Sequence, residues 1–461
     1  MSPGLDDKPS FLTMTGSAGA RFFGSAYLGL HAVRQPRYPF KPRAAIERDQ
    51  SRNVRRMVAH AYRYVPYYRE VLDGLHLKPS DFKTAADLAR LPILERRQVQ
   101  EAPEKFISLA EDISRCLVLR TGGSAGTPLI VYQDLRAVLR DLGHQQRYRA
   151  VLSSVIGKRL RYRETWILPL QSSPHKTRRY WRARTFLADR IMPRKQYLSM
   201  YDPPETNVPL LNVFKPEAIQ SYGSYIETLF AYLSAAETPF VRPKVLGFGG
   251  DGVSASARRM IKDKFGLECF SAYSSVEAWR IAFECPEHRG LHNNEDLYPL
   301  RIVDSRGRTL PPGEAGDVVV SNLVNRAMVF LNYRLGDIAS LLPGSCPCGR
   351  TLPLMSYPLG RSDDWIERPE GGPLHAQAVH TLLRDESEVW QYQVTQESLF
   401  CFKIALVVKD SCDREKTRKR VTANFKQAFG ENAKVEVAFV LSIPRTEGGK
   451  VRPIVSLTRK A

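Results

Sequence analysis

The chain has 461 residues, a length that suggests roughly three domains rather than one small core. Hydrophobic residues make up 43% and aromatic residues 10% of the chain, so a sizeable core is available. The formal net charge of +20 favours anionic binding partners: nucleotide phosphates, an acidic membrane face or nucleic acid. Because the basic residues are spread along the chain, a basic solvated surface is an equal alternative.

Several classes of protein are excluded by the cysteines and the N-terminus. The seven cysteines are an odd set that does not resemble an extracellular disulfide framework. Residues 1–8 are polar and mixed in charge, unlike a signal peptide. The apolar run from Phe22 to Val33 is too short to span a bilayer and is broken by His31. A cytoplasmic protein is predicted, and peripheral membrane contact through the basic, aromatic N-terminal region stays open.

Periodicity predicts alternating helices and strands after a loosely ordered segment, residues 1–45. A helix is predicted from Ile46, and Val65-Pro66 breaks it. The elements that follow are predicted in this order: helices Phe82–Leu88 and Glu95–Val99, strands Cys116–Leu119 and Leu129–Tyr132, helix 134–157, strand Thr165–Leu168, helix Phe214–Leu233, strand Val245–Asp251, helix Ser254–Phe265 and strand Glu268–Ala272. This alternation favours an α/β domain with a largely parallel sheet.

The remaining predicted elements form two further units. Strands separated by Gly/Pro turns predict a β-rich subdomain at Leu297–Val303, Asp317–Asn322 and Met328–Tyr333. A compact α+β unit is predicted from strand Cys401–Val408, helix Arg414–Phe429 and strand Val435–Leu441. The predicted fold is therefore α/β, with a large N-terminal domain (46–361) of mostly parallel sheets and a small, mobile α+β C-terminal domain (362–461).

A glycine-rich loop stands between the predicted strands at 116–119 and 129–132. It contains Thr121, Gly122, Gly123, Ser124, Ala125, Gly126 and Thr127, and Pro128 closes it. Glycines let the backbone approach a ligand closely, and successive N–H groups with hydroxyls form a nest for phosphate. A flexible surface turn is the competing interpretation. The loop is not a Walker A motif, because no Gly-Lys-Ser/Thr ending follows.

Three further stretches contain residues suited to binding a nucleotide, but each is weak evidence when taken alone. Tyr273 at a strand end offers a flat face for adenine, and Glu277 could hold Mg²⁺, but exposed Tyr and Glu residues are common after strands. Asp337 could accept hydrogen bonds from ribose hydroxyls, or cap a turn. Lys450, on a Gly448-Gly449 turn, could reach a reacting phosphate, or simply be solvated.

Taken together, the motifs resemble the adenylate-forming superfamily, which includes acyl-CoA synthetases, peptide-synthetase adenylation domains and luciferases. The motifs in order are Thr121–Pro128, Gly249–Asp251, Tyr273–Glu277, Tyr333–Asp337, Gly360–Asp364 and Gly448–Lys450. Within the superfamily the chain looks most like the phenylacetate–CoA ligase branch with its capsule-biosynthesis relatives. The stretches that resemble this branch are Val65–Tyr68, Leu91–Leu94, Glu284-Cys285 with Gly290–His292, and Cys346–Arg350.

The resemblance implies a two-step reaction that uses ATP and Mg²⁺: a carboxylate displaces pyrophosphate, and a nucleophile then takes the acyl group. It implies that the 121–127 loop cradles the phosphates and that Glu277 holds Mg²⁺. The implied nucleotide contacts are Tyr273 with its neighbour Ser274 near adenine, Gly249, Gly250 and Asp251 behind the base, and Asp337 and Arg361 at the ribose. It also implies that Lys450 acts in adenylation, and that Asp363 is the hinge that carries Lys450 away for the second step.

Four positions depart from the family pattern. Gly122, Ala125 and Val276 stand where hydroxyl residues are usual, and Leu129 replaces a common lysine. Each lost hydroxyl removes a phosphate donor, so weaker ATP binding is expected. A catalytically degenerate relative is the alternative. Activity is favoured because the residues that the resemblance assigns to the largest charges are retained: Glu277, Asp337, Arg361 and Lys450.

The cysteines also suggest a metal site. Cys285, Cys346 and Cys348 with one histidine, His288 or His292, would make a closed tetrahedral zinc site. Buried or loosely paired thiols are the alternative, because Cys-x-Cys is tighter than the usual spacing. A site of this kind is seen in the resembling branch, and that resemblance favours His292. Structural rather than catalytic zinc is expected.

The substrate and the acceptor are not determined by these patterns. The leading hypothesis is a ligase that activates a small carboxylic acid for transfer to CoA, with a carrier-protein thiol or an amine as other acceptors. Polysaccharide or secondary-metabolite biosynthesis is a candidate setting. The hypothesis from another class is a basic nucleic-acid or membrane-surface protein. No nucleic-acid partner is expected, because the basic residues form no stripe interleaved with aromatics.

Overall fold

The computed structural model describes residues 18–121, 128–169, 172–186, 193–236, 238–361, 365–367, 374–375, 382–383, 388–409, 411–445 and 451–458. Its α-helices are α1 (Ala18–Arg34), α2 (Arg43–Tyr64), α3 (Pro66–Gly74), α4 (Arg96–Glu101), α5 (Leu135–Ile156), α6 (Ser173–Arg182), α7 (Pro204–Phe214), α8 (Gly223–Ala235), α9 (Ala255–Phe265) and α10 (Arg414–Phe429). Among these helices, none combines the length and hydropathy needed to cross a bilayer.

The strands are β1 (Leu117–Arg120), β2 (Ile130–Gln133), β3 (Arg163–Leu168), β4 (Arg194–Ser199), β5 (Ala218–Ser221), β6 (Val245–Phe248), β7 (Glu268–Ser275), β8 (Trp279–Glu284), β9 (Leu291–Asn293), β10 (Leu300–Val303), β11 (Gly316–Val320), β12 (Tyr333–Ala339), β13 (Leu341–Leu342), β14 (Leu354–Met355), β15 (Gly360–Arg361), β16 (Trp365–Ile366), β17 (Leu374–His375), β18 (Val389–Ser398), β19 (Cys401–Val408), β20 (Lys434–Phe439) and β21 (Ile454–Ser456).

The large domain is built on a nine-stranded mixed sheet of order β13-β14-β9-β8-β7-β6-β5-β3-β4. Its half from β4 to β7 is parallel, and its half from β7 to β13 is antiparallel. The change of direction comes at the end of β7, which the short turn 276–278 joins to β8. Ligands of open parallel sheets bind beyond the carboxyl ends of the strands, so the end of β7 is where a site is expected.

Two smaller β-structures meet this edge. Strands β1 and β2 pair antiparallel, with Leu119 opposite Val131, and thereby bring residues 121 and 129 together. Strand β12 lies between β11 and β15 in a four-stranded sheet, and Asp337 of β12 is paired with Arg361 of β15. Both structures pack on a shared core that includes Leu129, Tyr273 and Tyr333.

The helix after the hairpin begins and ends where its sequence dictates. The Asp134 carboxylate accepts the amide of Ala137 at 2.8 Å and caps the first turn of α5. Gly157 ends the helix with φ of 78°, a conformation that glycine adopts at no steric cost. The buried side chains of Val138, Leu152 and Ile156 face the core.

The C-terminal unit is α+β, as predicted. Its sheet has the order β20-β19-β18-β21, and α10 covers it through Val421, Phe425 and Phe429. The predicted helix Arg414–Phe429 is confirmed, and Asp413 caps it. The boundary placed at residue 362 stays a prediction.

Several predictions about local structure were wrong. Residues 18–34 form helix α1 instead of being loosely ordered. The helix predicted at Phe214–Leu233 is interrupted by β5, whose four residues are all buried between parallel neighbours. Residues 328–332 contain only an isolated bridge at Met328, so the predicted strand begins at Tyr333. The predicted helix Phe82–Leu88 is a 3₁₀ turn over Ala85–Arg90. Short apolar runs suit a buried strand and a buried helix equally, which explains the error at β5.

Candidate active site and metal centre

Tyr273, Asp337 and Arg361 converge near the carboxyl end of β7. The hydroxyl of Tyr273 donates to Asp337 Oδ2 at 2.7 Å, and the Arg361 guanidinium lies 3.3 Å from Asp337 Oδ1. Burial, and then the charge of Asp337, raise the pKa of Tyr273 well above its usual value, so its phenol stays a donor. The carboxylate is thus held from both sides and oriented by residues from two other strands.

A second group links the glycine-rich loop to Glu277 through Arg96. Arg96 Nη2 donates to Thr121 Oγ1 at 2.8 Å, and its Nη1 lies 3.9 Å from Glu277 Oε1. The Leu129 amide donates to the same Thr121 oxygen at 3.0 Å, and Tyr333 approaches Glu277 Oε1 at 3.5 Å. Thr121 therefore accepts two hydrogen bonds and keeps its own proton to donate at the entrance of the loop.

The two groups belong to one site. Tyr273 stands near the end of β7 and Glu277 in the turn that follows, and each contacts a residue of β12: Tyr273 contacts Asp337 and Glu277 contacts Tyr333. Glu277 is buried, and Asn322 fixes its backbone by donating to its carbonyl at 2.8 Å. Five separate segments of the chain thus bring a threonine, two carboxylates and two guanidiniums to one edge of the sheet.

Arg96 is the site residue that the sequence analysis missed. It lies in α4, whose first turn follows Leu94, and Leu94 is bridged to Tyr333 of β12. A lone arginine in a predicted helix has no distinguishing spacing. The one available signal was its position just after Leu91–Leu94, a stretch that resembles the family.

The glycines of the Gly249–Asp251 turn allow close packing beside Tyr273. A Cβ on Gly249 would lie 2.7 Å from the carbonyl oxygen of Ala272, and Gly250 has φ of 85°. The Asp251 carboxylate accepts the amide and the hydroxyl of Ser224 at 3.1 and 2.6 Å, at the start of α8. The role of these residues in binding nucleotide stays a prediction.

Other predicted site residues have less structural evidence. Ser274 is exposed in β7, next to Tyr273. Gly122, Gly123, Ser124, Ala125, Gly126 and Thr127 lie outside the described residues, as do Asp363 and Lys450. Their roles stay predictions.

The small domain contacts the large one on α8 and α9. Arg445 donates to the Ser224 hydroxyl and, at 3.2 Å, to that of Thr228. Gln391 of β18 donates to the Ser224 carbonyl at 3.0 Å. Because Ser224 also binds Asp251, the Gly249–Asp251 turn is connected to the segment that leads to Lys450.

A buried carboxylate lies in this contact. Glu227 Oε1 accepts the amide of Ser254 at 2.6 Å, and its carboxylate is also hydrogen-bonded by the side chain of Gln391. Burial raises the pKa of Glu227 to about 7. The contact between the domains therefore contains a group that titrates near neutral pH.

The structure brings together Cys285, His292, Cys346 and Cys348. Their ligand atoms all lie within 4.8 Å of one another. The sulfurs of Cys285 and Cys346 are 3.6 Å apart, and Cys348 Sγ is 3.3 Å from His292 Nε2. A tetrahedron with Zn–S bonds of about 2.3 Å has edges of about 3.8 Å, so these separations suit zinc.

The histidine in this cluster is His292 and not His288. His288 binds Glu284 at 2.6 Å and Glu268 at 3.1 Å, which holds it away from the cysteines. His292 is buried, and its Nδ1 faces the Leu352 carbonyl at 3.2 Å. That contact assigns the proton to Nδ1 and leaves Nε2 as the ligand atom.

Comparison with known proteins agrees with this architecture. Residues 366–457 match the CapK C-terminal domain family. The phenylacetate–coenzyme A ligase of Thermus thermophilus is 26% identical, with 92% of this chain and 99% of that protein covered. The Staphylococcus aureus protein CapK is 21% identical, with 84% of each chain covered. A crystal structure of 2-hydroxyisobutyryl-CoA ligase with an acyl-AMP superposes with a TM-score of 0.70 at 16% identity, over 92% of each chain.

The fold and the convergent site define an adenylate-forming ligase architecture: a large mixed-sheet domain followed by a small α+β domain. The chain resembles the adenylate-forming ligase superfamily, and the relatives that it matches over most of its length are phenylacetate–CoA ligases and protein CapK. Its homologues are adenylate-forming acid–CoA ligases.

Proposed function

We propose that this protein activates a carboxylic acid with ATP and transfers the acyl group to a thiol such as that of CoA. The observation that carries the proposal is the convergence of Thr121, Arg96, Glu277, Asp337 and Arg361 on one edge of the sheet. These groups present hydroxyl, guanidinium and carboxylate functions suited to the phosphates, the metal ion and the ribose of one nucleotide.

In the first step, a carboxylate oxygen bonds to the α-phosphorus of ATP as the bond to the pyrophosphate oxygen breaks. The Thr121 proton and the Arg96 guanidinium stand where the glycine-rich loop begins, ready to stabilise negative charge on the phosphates. Asp337, which accepts from Tyr273, keeps lone pairs for the ribose hydroxyls. These roles need positioning and charge, with little covalent chemistry from the protein.

Glu277 fits the role of a magnesium ligand. Both of its side-chain contacts within the described residues fall on Oε1, so Oε2 is available to a hard cation. Mg²⁺, when bound, neutralises the charge on the phosphate oxygens. Arg96 Nη1, 3.9 Å from Oε1, places a positive charge beside this carboxylate.

In the second step the thiol sulfur bonds to the acyl carbon and AMP leaves. We assign Lys450 to the first step and Asp363 to the hinge that removes Lys450 before the second. The names of the relatives support CoA as the acceptor, and phenylacetate or a similar aryl acid is the first substrate to test. A role in polysaccharide biosynthesis is supported by the match of residues 366–457 to the CapK family.

The experiment is carboxylate-dependent ATP–pyrophosphate exchange with a panel of aryl and aliphatic acids, followed by mass spectrometry with CoA added. Exchange with at least one acid, and a CoA thioester of that acid, are expected. Exchange with formation of an amide instead, when amines are supplied, would identify an amine-accepting ligase. The absence of exchange with any acid, in protein that is folded and binds ATP, would favour a degenerate binding protein.

We also propose that Cys285, His292, Cys346 and Cys348 hold a structural zinc ion. The four ligands fill a tetrahedral shell, so the site leaves no position for a reacting water. Cys285 follows β8 and His292 lies in β9, while Cys346 and Cys348 lie between β13 and β14. Zinc there would fasten the antiparallel end of the large sheet, and the zinc content of purified protein tests this directly.

A further inference from the structure

The solvent-facing side of helix α1 is apolar throughout. Residues 19, 22, 23, 26, 30 and 33 lie within an arc of about 100° at the helical period. They are Gly19, Phe22, Phe23, Ala26, Leu30 and Val33. Phe22, Phe23 and Val33 are 64, 72 and 78% exposed. A helix on the surface of a soluble protein normally carries polar residues on this face, so the pattern of α1 is inverted.

The opposite face of α1 packs tightly against the rest of the protein. The exposed apolar face is therefore not the face that this helix buries in the core. A Cβ on Gly143 of α5 would lie 2.8 Å from the Cβ of His31. A Cβ on Gly24 would lie 2.8 Å from the Arg184 carbonyl, and Leu28 packs against the cluster that contains Leu139. Helix α1 therefore has a fixed rotation, with its phenylalanines outward.

Phe186 extends the same patch. Its amide donates to Ser25 Oγ at 2.8 Å, and its ring lies 4.2 Å below the Arg21 guanidinium. Phe186 is 55% exposed. Together with the α1 side chains it presents apolar surface on the order of 500 Å², a size at which exposed patches on monomers are often functional.

Within residues 18–46, the charges beside this apolar surface are positive. No Asp or Glu occurs between residues 18 and 46, whereas Arg21, Arg34 and Arg37 do. Arg34 and Arg37 are exposed, and neither forms an ion pair with any described carboxylate. Burial, and then the charges of Arg140, Arg136 and Arg34, lower the pKa of His31, which shows that basic groups also surround the C-terminal end of α1.

We propose that the outward face of α1, with Phe186, lies on an anionic phospholipid surface and makes this ligase a peripheral membrane protein. Phenylalanine side chains enter the boundary between headgroups and acyl chains, while flanking arginines bind the phosphates. A second copy of the chain fits this face less well. Two facing α1 helices would bring their arginines together, on molecules that each carry a formal charge of +20.

The test is co-sedimentation of the full-length protein with vesicles of phosphatidylcholine alone or with about 30 mol% phosphatidylglycerol. About tenfold stronger partitioning to the anionic vesicles is expected, and about 1 M salt should reduce it. The double variant Phe22→Ser/Phe23→Ser should lose binding. Val213→Ser, which removes an 83% exposed apolar side chain from α7, is the matched control and should bind as the wild type does.

Two other results would overturn the proposal. Equal binding of wild type and the double variant would show that the face does not contact lipid. A dimer in light scattering that the double variant converts to monomer, without vesicle binding by either, would assign the face to self-association. A variant lacking residues 1–17 must still bind vesicles. Pyrophosphate exchange, unchanged in all variants, confirms that they are folded.

Discussion

Arg96 donates a hydrogen bond to Thr121 Oγ1 at 2.8 Å while standing 3.9 Å from Glu277. One guanidinium thus joins the entrance of the glycine-rich loop to the carboxylate assigned to the metal ion. The loop lacks hydroxyls at Gly122 and Ala125, where the resembling family usually has them, so we expect Arg96 to contribute more to ATP binding than it would beside a complete loop.

Arg96→Ala is expected to lower pyrophosphate exchange about 10- to 100-fold, the equivalent of one hydrogen bond to a charged group. Arg97→Ala is the matched control, since Arg97 is exposed and pairs only with Glu101 in the described structure. The control should keep wild-type exchange. Equal losses in the two variants would remove Arg96 from the site.

Tyr273→Phe removes the donor that orients Asp337 without changing the ring. The KM for ATP is expected to rise about fivefold while kcat changes little, because the loss falls on ribose binding. Asp337→Asn should weaken ATP further, and the double variant should be no worse than Asp337→Asn alone. Additive losses would mean that the two side chains act independently. Tyr232→Phe, with its hydroxyl near Thr238, serves as the control.

Lys450→Ala is expected to abolish adenylation and leave thioester formation from supplied acyl-adenylate largely intact, since the lysine is assigned to the first step alone. Pyrophosphate exchange measures the first step, and mass spectrometry of the thioester measures the second. Lys434→Ala, in β20 of the same small domain, controls for the loss of a positive charge. Equal impairment of both half-reactions would contradict the assignment.

Glu227 is expected to make the stability of the domain contact depend on pH. Its pKa is about 7 in the folded protein against 4.5 as the ordinary value, so the folded state binds more protons between these limits. The stabilisation that Glu227 contributes is fully present below about pH 4.5. As the pH rises from there to about 7 it is lost, and the free energy of unfolding falls by up to about 1.4 kcal/mol per pH unit.

The Glu227→Gln variant should lack this component of the pH dependence. The measurement is the unfolding midpoint of both proteins, together with hydrogen exchange in β18 and α8, from pH 5.5 to 7.5. A wild-type protein whose β18 and α8 protection stays constant over this range would show that Glu227 does not titrate there.

Removal of zinc is expected to destabilise the large domain without changing the rate of adenylation by the folded protein. Cys348→Ser should abolish stoichiometric zinc and lower the melting temperature, because breaking one ligand of a structural site loses metal-linked folding energy. Cys116→Ser, which changes a thiol outside the cluster, should retain both. Pyrophosphate exchange per folded molecule should be unchanged at low temperature. A zinc-free wild type with the same melting temperature as Cys348→Ser would refute a zinc site.

Much of this protein was determined by sequence alone. Helix Arg414–Phe429 follows from apolar spacing that only one helical face can bury. Tyr273, Asp337 and Arg361 were predicted to lie at one nucleotide because their motifs resemble a known family, and the structure brings all three together. The four residues of the Cys/His cluster were likewise predicted as a set, and they lie together.

Only the tertiary structure decided which side chains meet when the sequence offers no spacing signal. Arg96 reaches Thr121 and Glu277 because α4 docks against β12, and Arg445 reaches Ser224 because the small domain packs on α8. The outward turn of Phe22 is also a tertiary result, since the same apolar periodicity suits a buried helix. Local patterns determine which face is apolar, whereas the close packing of distant segments determines what that face touches.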